Sequence, residues 1–271
     1  MIKSYPFYLL IFLIFFQSSA HIRTQTTLDY QSRIHPEIAS DFMVVTQNEH
    51  ATNAGYEILR KGGNAVDASV AVGFALAVTL PRAGNLGGGG FILIYNKEED
   101  EIVSIDYRSA APKSATSDLF IDGEEVVRFG HLVNAIPGSV AGLLKAHTDY
   151  GSLPLSDLLK PAIRLAREGF EVTYDLNFVL NWGKESLLAN NTSKEKFYNS
   201  SEDPIAVKSI LKQPKLARTL FMISKKGSDI FYKGEIAKWI SEESLSKGGL
   251  ITLDDLASYK AKNRKPIETS Y

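Results

Sequence analysis

The segment Val66–Leu80 (VDASVAVGFALAVTL) carries one charge, Asp67, and is apolar on nearly every side when wound as a helix. Such a helix has no solvent face, so other elements must pack all around it. The flanks fit that reading. Asn64 is placed to cap the helix start, and Pro81 ends it. Just before it, Glu49–Leu59 sets Ala51, Ala54, Ile58 and Leu59 at helical spacing, and Gly62-Gly63 closes that helix. Fold class is therefore constrained early: a central helix needs a chain large enough to surround it.

The other strong signal is β. Phe91–Tyr95 (FILIY) reads as a strand built for burial on both faces. Asn96–Glu101 is a charged hairpin loop, and Ile102–Tyr107 alternates as the returning strand. Met43-Val44-Val45 is a further short β-type run. Ala110–Ile136 reads as a loop-rich crossover. Beyond Pro137 the pattern is helical, with helices expected over Ser139–Tyr150, Leu155–Glu168, Leu176–Leu188, Pro214–Lys225 and Ile236–Ser246. A last short helix starts at Thr252 as N-cap.

Composition excludes several kinds of chemistry. The chain has no cysteine, which removes thiol catalysis, thiolate zinc sites and iron–sulfur clusters. The 30 basic and 31 acidic residues nearly cancel, giving no basic excess for nucleic-acid binding. The histidines, His21, His35, His50, His131 and His147, include no pair three to five residues apart, so no helical zinc pair can be written. With no dinucleotide loop either, neither a metal nor an organic cofactor is expected. Asn190, Asn191 and Asn199 open glycosylation-type triplets, which polar Asn/Ser runs produce by chance.

Residues 1–20 read as a secretory signal peptide: Lys3, an apolar stretch from Phe7 to Phe16, then Ser18-Ser19-Ala20. That implies export to the periplasm or outside, with cleavage near Ala20. The apolar stretch is too short to span a bilayer comfortably, so no stable membrane span is expected after cleavage. Residues 21–40 form a polar lead-in.

Two features could carry function. Gly84-Asn85-Leu86-Gly87-Gly88-Gly89-Gly90 lies between helix and strand, the reverse of a dinucleotide loop, and suits either tight packing or a substrate-facing loop. Arg108, in Asp106-Tyr107-Arg108 at a strand end, suits either a carboxylate ligand or a structural ion pair with Asp106 or a neighbour. No serine or threonine stands in a recognisable nucleophile motif.

The strings Ile58-Leu59-Arg60-Lys61-Gly62-Gly63-Asn64-Ala65-Val66-Asp67-Ala68 and Pro81-Arg82-Ala83-Gly84-Asn85-Leu86-Gly87-Gly88-Gly89-Gly90-Phe91 resemble signatures of the γ-glutamyltranspeptidases. The resemblance continues through Asp106-Tyr107-Arg108, Ile136-Pro137-Gly138-Ser139, Pro161–Phe170, Phe231–Gly234 and Gly248–Thr252 with Asp255, Leu256 and Tyr259. It covers about residues 41–271, read as the N-terminal part of the large subunit.

The resemblance implies a mixed α/β fold, the αββα sandwich of N-terminal nucleophile hydrolases, incomplete in this chain. It implies a proenzyme that cleaves itself into two subunits, with a threonine at the new terminus of the small subunit as nucleophile. That threonine would take the γ-glutamyl group of glutathione, or another γ-glutamyl donor, as an ester and pass it to water or an amino acid. No catalytic nucleophile is expected within these residues, so the chain alone is expected to be inactive and poorly behaved. Arg108 matches the arginine that grips the donor α-carboxylate; related sequences more often carry Glu where Ser109 stands here. The alternatives are a non-catalytic exported remnant of the fold and a related amide acylase, such as a β-lactam acylase, with another donor.

Overall fold

The structure, a computed structural model, describes residues 38–122 and 125–270. The segment read as a signal peptide and most of the expected lead-in lie outside the described residues. Residues from Phe42 onward form one compact unit.

The first helix, α1 (Glu49–Arg60), is capped by Asn48, whose side chain accepts from the Ala51 amide. The second, α2 (Ala65–Thr79), opens on a reciprocal capping box between Asn64 and Asp67. As its composition demands, α2 is enclosed: Val70, Ala71, Phe74, Ala75 and Val78 are fully buried. Asp67 is buried too, and it works as a clasp. Its carboxylate accepts from the amides of Asn64, Ser152 and Leu153 and from the Ser152 hydroxyl. Burial pushes its pKa up, but those donors outweigh the effect and hold it below the usual value of 3.8.

Strands β1 (Phe91–Asn96) and β2 (Glu101–Asp106) form the expected hairpin, with Ile92 opposite Ile105 and Ile94 opposite Val103. A two-stranded ribbon, β3 (Ile121–Asp122) with β4 (Glu125–Val126), interrupts the crossover. Then come α3 (Ser139–Tyr150) and α4 (Leu155–Glu168), both ending at glycine as expected. Next, β5 (Phe170–Glu171) is followed by α5 (Tyr174–Trp182), α6 (Lys184–Leu188) and α7 (Asn191–Phe197), and β6 (Ile210–Leu211) pairs back on β5. The chain finishes with α8 (Pro214–Tyr232), α9 (Glu235–Ser246), α10 (Leu253–Ser258) and β7 (Lys262–Arg264). Strand β7 joins the hairpin to give the antiparallel order β1-β2-β7.

Four expectations need correction. Met43–Val45 is not a strand: Val44 instead sits over Gly55 of α1, while Met43 and Val45 face solvent. The helix expected over Leu176–Leu188 is two helices that meet at Gly183. The helix from Pro214 runs on to Tyr232 through a kink at Gly227, whose φ of 63° only glycine adopts readily. Finally, β1 is buried on one face only. Ile92 and Ile94 join the core with Val103, Ile105 and α3, whereas Phe91, Leu93 and Tyr95 are 62%, 69% and 61% exposed. The Asn/Ser triplets are local structure: Asn190 caps α7, and Asn199 accepts from the amides of Ser201 and Asp203.

Candidate functional site

Strand β2 ends at Asp106, and Tyr107 extends its pairing through two hydrogen bonds with Gly90. The next residue is Arg108. Its backbone is fixed from two sides. The Arg108 amide donates to Asp106 Oδ1 at 3.0 Å, and its carbonyl accepts from the Tyr259 hydroxyl at 2.8 Å. Tyr259 is in turn stacked on Tyr232, with ring centres 5.7 Å apart. The Tyr232 hydroxyl donates to the Pro137 carbonyl and accepts from the Ala141 amide. Burial, with the Asp106 charge adding to it, pushes the Tyr259 pKa up to about 12, so both phenols stay protonated hydrogen-bond donors at neutral pH.

The glycine run explains how the chain comes so close at this point. A Cβ on Gly89 would lie 2.6 Å from both the Ser109 nitrogen and the Tyr107 carbonyl oxygen. On Gly138 it would lie 1.9 Å from that same carbonyl. The Gly88 carbonyl accepts the amides of Gly138 and Ser139, which ties the run to the start of α3. Packing of backbone against backbone therefore accounts for Gly89, while a Cβ on Gly88 would meet only the Asn85 and Ser139 side chains, the nearest atom at 3.1 Å. The effect of both glycines on the site is indirect, through the segment that carries Arg108.

Around Arg108 lies an open cleft of roughly 340 Å³, lined by Asp106, Arg108, Tyr259, Lys260, Lys262 and Arg264 among others. Four cationic side chains face one carboxylate, and that carboxylate is already engaged. Asp106 Oδ2 accepts from Arg264 Nε at 3.0 Å. The Arg108 amide, and after it the Arg264 guanidinium, hold the Asp106 carboxyl below its usual range against the opposing effect of burial. Among the described residues the Arg108 guanidinium makes no ion pair; it is exposed to the cleft. Of the two sequence readings of Arg108, the ion pair with Asp106 is thus the one the structure does not form. The acid bonds to the arginine's backbone and gives its charge to Arg264.

A second cleft, about 370 Å³, is lined by Lys145, Lys233 and Lys260 but also by Asp149 and Asp229, so its charges largely cancel. Among the described residues no group of three His, Asp or Glu side chains is placed to hold a metal ion. The described histidines have structural partners: His147 bonds the Leu153 carbonyl, His131 lies 3.7 Å from Glu243, and His50 packs edge-on against Phe170.

Sequence reasoning singled out Arg108 but not Lys262 or Arg264. They come from β7, some 150 residues further along the chain, and only the pairing of β2 with β7 brings them over. The period-two spacing of Lys262 and Arg264 signals only that the two share a sheet face; the register that sets that face beside Asp106 comes from the pairing.

Comparison with known proteins agrees with the motif reading. The Gamma-glutamyltranspeptidase family model matches residues 51–271. The glutathione hydrolase proenzyme of Escherichia coli is 45% identical over 243 residues, covering 88% of this chain and 42% of that protein. Glutathione hydrolase 2 of Arabidopsis thaliana is 38% identical over 228 residues, 83% of this chain and 39% of that protein. This chain therefore spans about two-fifths of the length of such relatives. Among solved structures, the Helicobacter pylori γ-glutamyltranspeptidase superposes with a TM-score of 0.84 at 37% identity, over 88% of this chain and 69% of that one. A cephalosporin acylase from Bacillus halodurans superposes at 0.71 with 26% identity, over 91% and 48%. The fold is thus that of the N-terminal nucleophile hydrolases, and the chain belongs to the γ-glutamyltranspeptidase family.

Proposed function

We propose that this chain is the donor-binding part of an exported γ-glutamyltransferase, or glutathione hydrolase, proenzyme. The observation that carries the reading is the Arg108 guanidinium, without an ion-pair partner among the described residues and held at a sheet end on a pinned backbone in a cationic cleft. A planar guanidinium meets a carboxylate through two parallel hydrogen bonds, which fixes orientation as well as position. Gripping the α-carboxylate of a γ-glutamyl donor would leave the distal amide projecting away, toward a nucleophile.

The nucleophile in this reading is a threonine at the terminus of the small subunit, activated by its own α-amine. Its hydroxyl adds to the γ-carbonyl, the amine of the donor leaves with a proton, and water or an amino acid then cleaves the ester. These residues bind and orient the donor; they supply none of the bond-breaking groups. The small subunit is also the natural cover for Phe91, Leu93 and Tyr95, because the open side of the sheet is where the second sheet of the sandwich would pack. Glutathione is the donor favoured by the names of the relatives, and export by their being proenzymes together with the pattern of residues 1–20. The amide-acylase reading rests on a neighbour at 26% identity, against 45% and 37% for the γ-glutamyl enzymes.

The test is release of 4-nitroaniline from a γ-glutamyl anilide. The chain alone should give none above background. The same chain produced together with a nucleophile-bearing part should turn the donor over. Equal release by both preparations, or none by the joined one when its processing is complete, would contradict the proposal.

A further inference from the structure

The outer face of the sheet holds a contact that the proposed clamp does not by itself require. Register places Asp106 opposite Lys262 and Ser104 opposite Arg264. Asp106 and Arg264 are therefore diagonal neighbours on one face, a separation that a long side chain can bridge. The carboxylate serves two partners with its two oxygens: Oδ1 takes the Arg108 amide at 3.0 Å and Oδ2 takes Arg264 Nε at 3.0 Å. The Asp106 side chain is 16% exposed, and that of Arg264 is 57% exposed.

A pair of this kind, with its arginine largely in solvent, adds little stability. Its geometry has another consequence. Asp106 is two residues from Arg108 and lines the same cleft, with no other carboxylate among the described residues of that lining. Left unpartnered, it would be the obvious acceptor for the Arg108 guanidinium, and its charge would repel an incoming carboxylate.

We propose that Arg264 and Asp106 are positioning residues for Arg108: Arg264 occupies the carboxylate that would otherwise capture the Arg108 guanidinium, and Asp106 in turn anchors the Arg108 backbone. The arrangement keeps one arginine committed to structure so that the other stays available to ligand. Its effect is confined to donors that carry an α-carboxylate. This inference rests on the clamp reading of Arg108 above.

The experiment uses the joined, processed enzyme and two anilide donors, γ-glutamyl and 4-aminobutyryl, which differ only in the α-carboxylate. Arg264→Gln should raise KM for the γ-glutamyl donor roughly tenfold, the scale of a modest misplacement, with kcat changed much less. KM for the 4-aminobutyryl donor should stay within about twofold. Asp106→Asn keeps an acceptor for the Arg108 amide and removes the competing charge. Added to Arg264→Gln, it should bring the γ-glutamyl KM back to within about threefold of the parent. Arg264→Lys, which keeps the charge, should fall between. Tyr259→Phe, which frees the Arg108 carbonyl at almost constant volume, gives a second variant should the Asp106 change impair folding; it too should act on the γ-glutamyl donor alone.

Arg108→Lys is the benchmark. If it erases the preference for the γ-glutamyl donor while Arg264→Gln leaves the preference intact, the positioning role is wrong and the clamp stands. If Arg108→Lys leaves the preference unchanged, both fall. Equal losses with both donors for Arg264→Gln would make the pair merely structural and also overturn the proposal.

Discussion

Helix α2 and strand β1 announce themselves in the same way, as apolar runs with no polar side, yet they meet different fates. Around α2 most faces find a neighbour: α1 on one side, α3 and α4 on others, with Phe74 fully buried at the centre and a stripe through Ser69, Val72, Gly73 and Leu76 left exposed or half-buried. Strand β1 finds α3 and the core for Ile92 and Ile94, while Phe91, Leu93 and Tyr95 stay mostly exposed, the Tyr95 hydroxyl donating to Asp100 at the hairpin turn. An apolar run reports how much burial a segment requires, not whether its own chain supplies the cover. In the helix the requirement is met internally. In the strand it is half met, and the unmet half points to a partner.

The first way to break this contrast is to damage the enclosed element. Phe74→Ala opens a cavity that α2's neighbours cannot fill and should cost about 3–5 kcal/mol, measured by denaturant unfolding. A loss under about 1 kcal/mol would mean the interior around α2 is looser than its burial indicates.

The clasp on the same helix comes next. Asp67→Ala strands the Ser152 and Leu153 amides and should cost about 2–3 kcal/mol. The pH dependence follows from the lowered Asp67 pKa. A carboxyl held below 3.8 when folded contributes stability that is present above that value and is lost as pH falls through the folded pKa. Asp67→Asn should therefore flatten the acid limb of a stability–pH curve and leave the neutral region lower but flat. An acid limb identical to the parent's would assign the loss to other groups, such as Asp255, which is likewise lowered and likewise accepts buried-side amides.

The smallest expected effect is on the open face. Leu93→Lys should change the stability of this chain by no more than about 0.5 kcal/mol while reducing its self-association, since an exposed apolar strip is removed. In the joined enzyme the same change should block assembly. A large loss of stability in the chain alone would show that the outer face is already covered.

Much of this was legible in sequence because the signals are local. Caps at Asn64 and Thr252, glycine stops at Gly151 and Gly169, and the hairpin around Asn96–Glu101 are set by a few adjacent residues. What was not legible depends on distant partners. Met43–Val45 has strand chemistry but no strand beside it. The length of α8 depends on Gly227 tolerating a kink, and the short helix Asn191–Phe197 lacks a clear apolar stripe. At the site, Arg108 was visible as a strand-end arginine. The pairing of Asp106 with Arg264 was not, because β7 arrives only after the whole helical half has folded back.

The most direct test of the central claim, that Arg108 grips the α-carboxylate of the donor, is kcat/KM of Arg108→Lys in the joined enzyme with a γ-glutamyl anilide. Lysine keeps the charge and loses the two-pronged fork. The account predicts a fall of about 30-fold or more, carried mainly by KM, with processing and melting temperature unchanged. A kcat/KM within about twofold of the parent would contradict it.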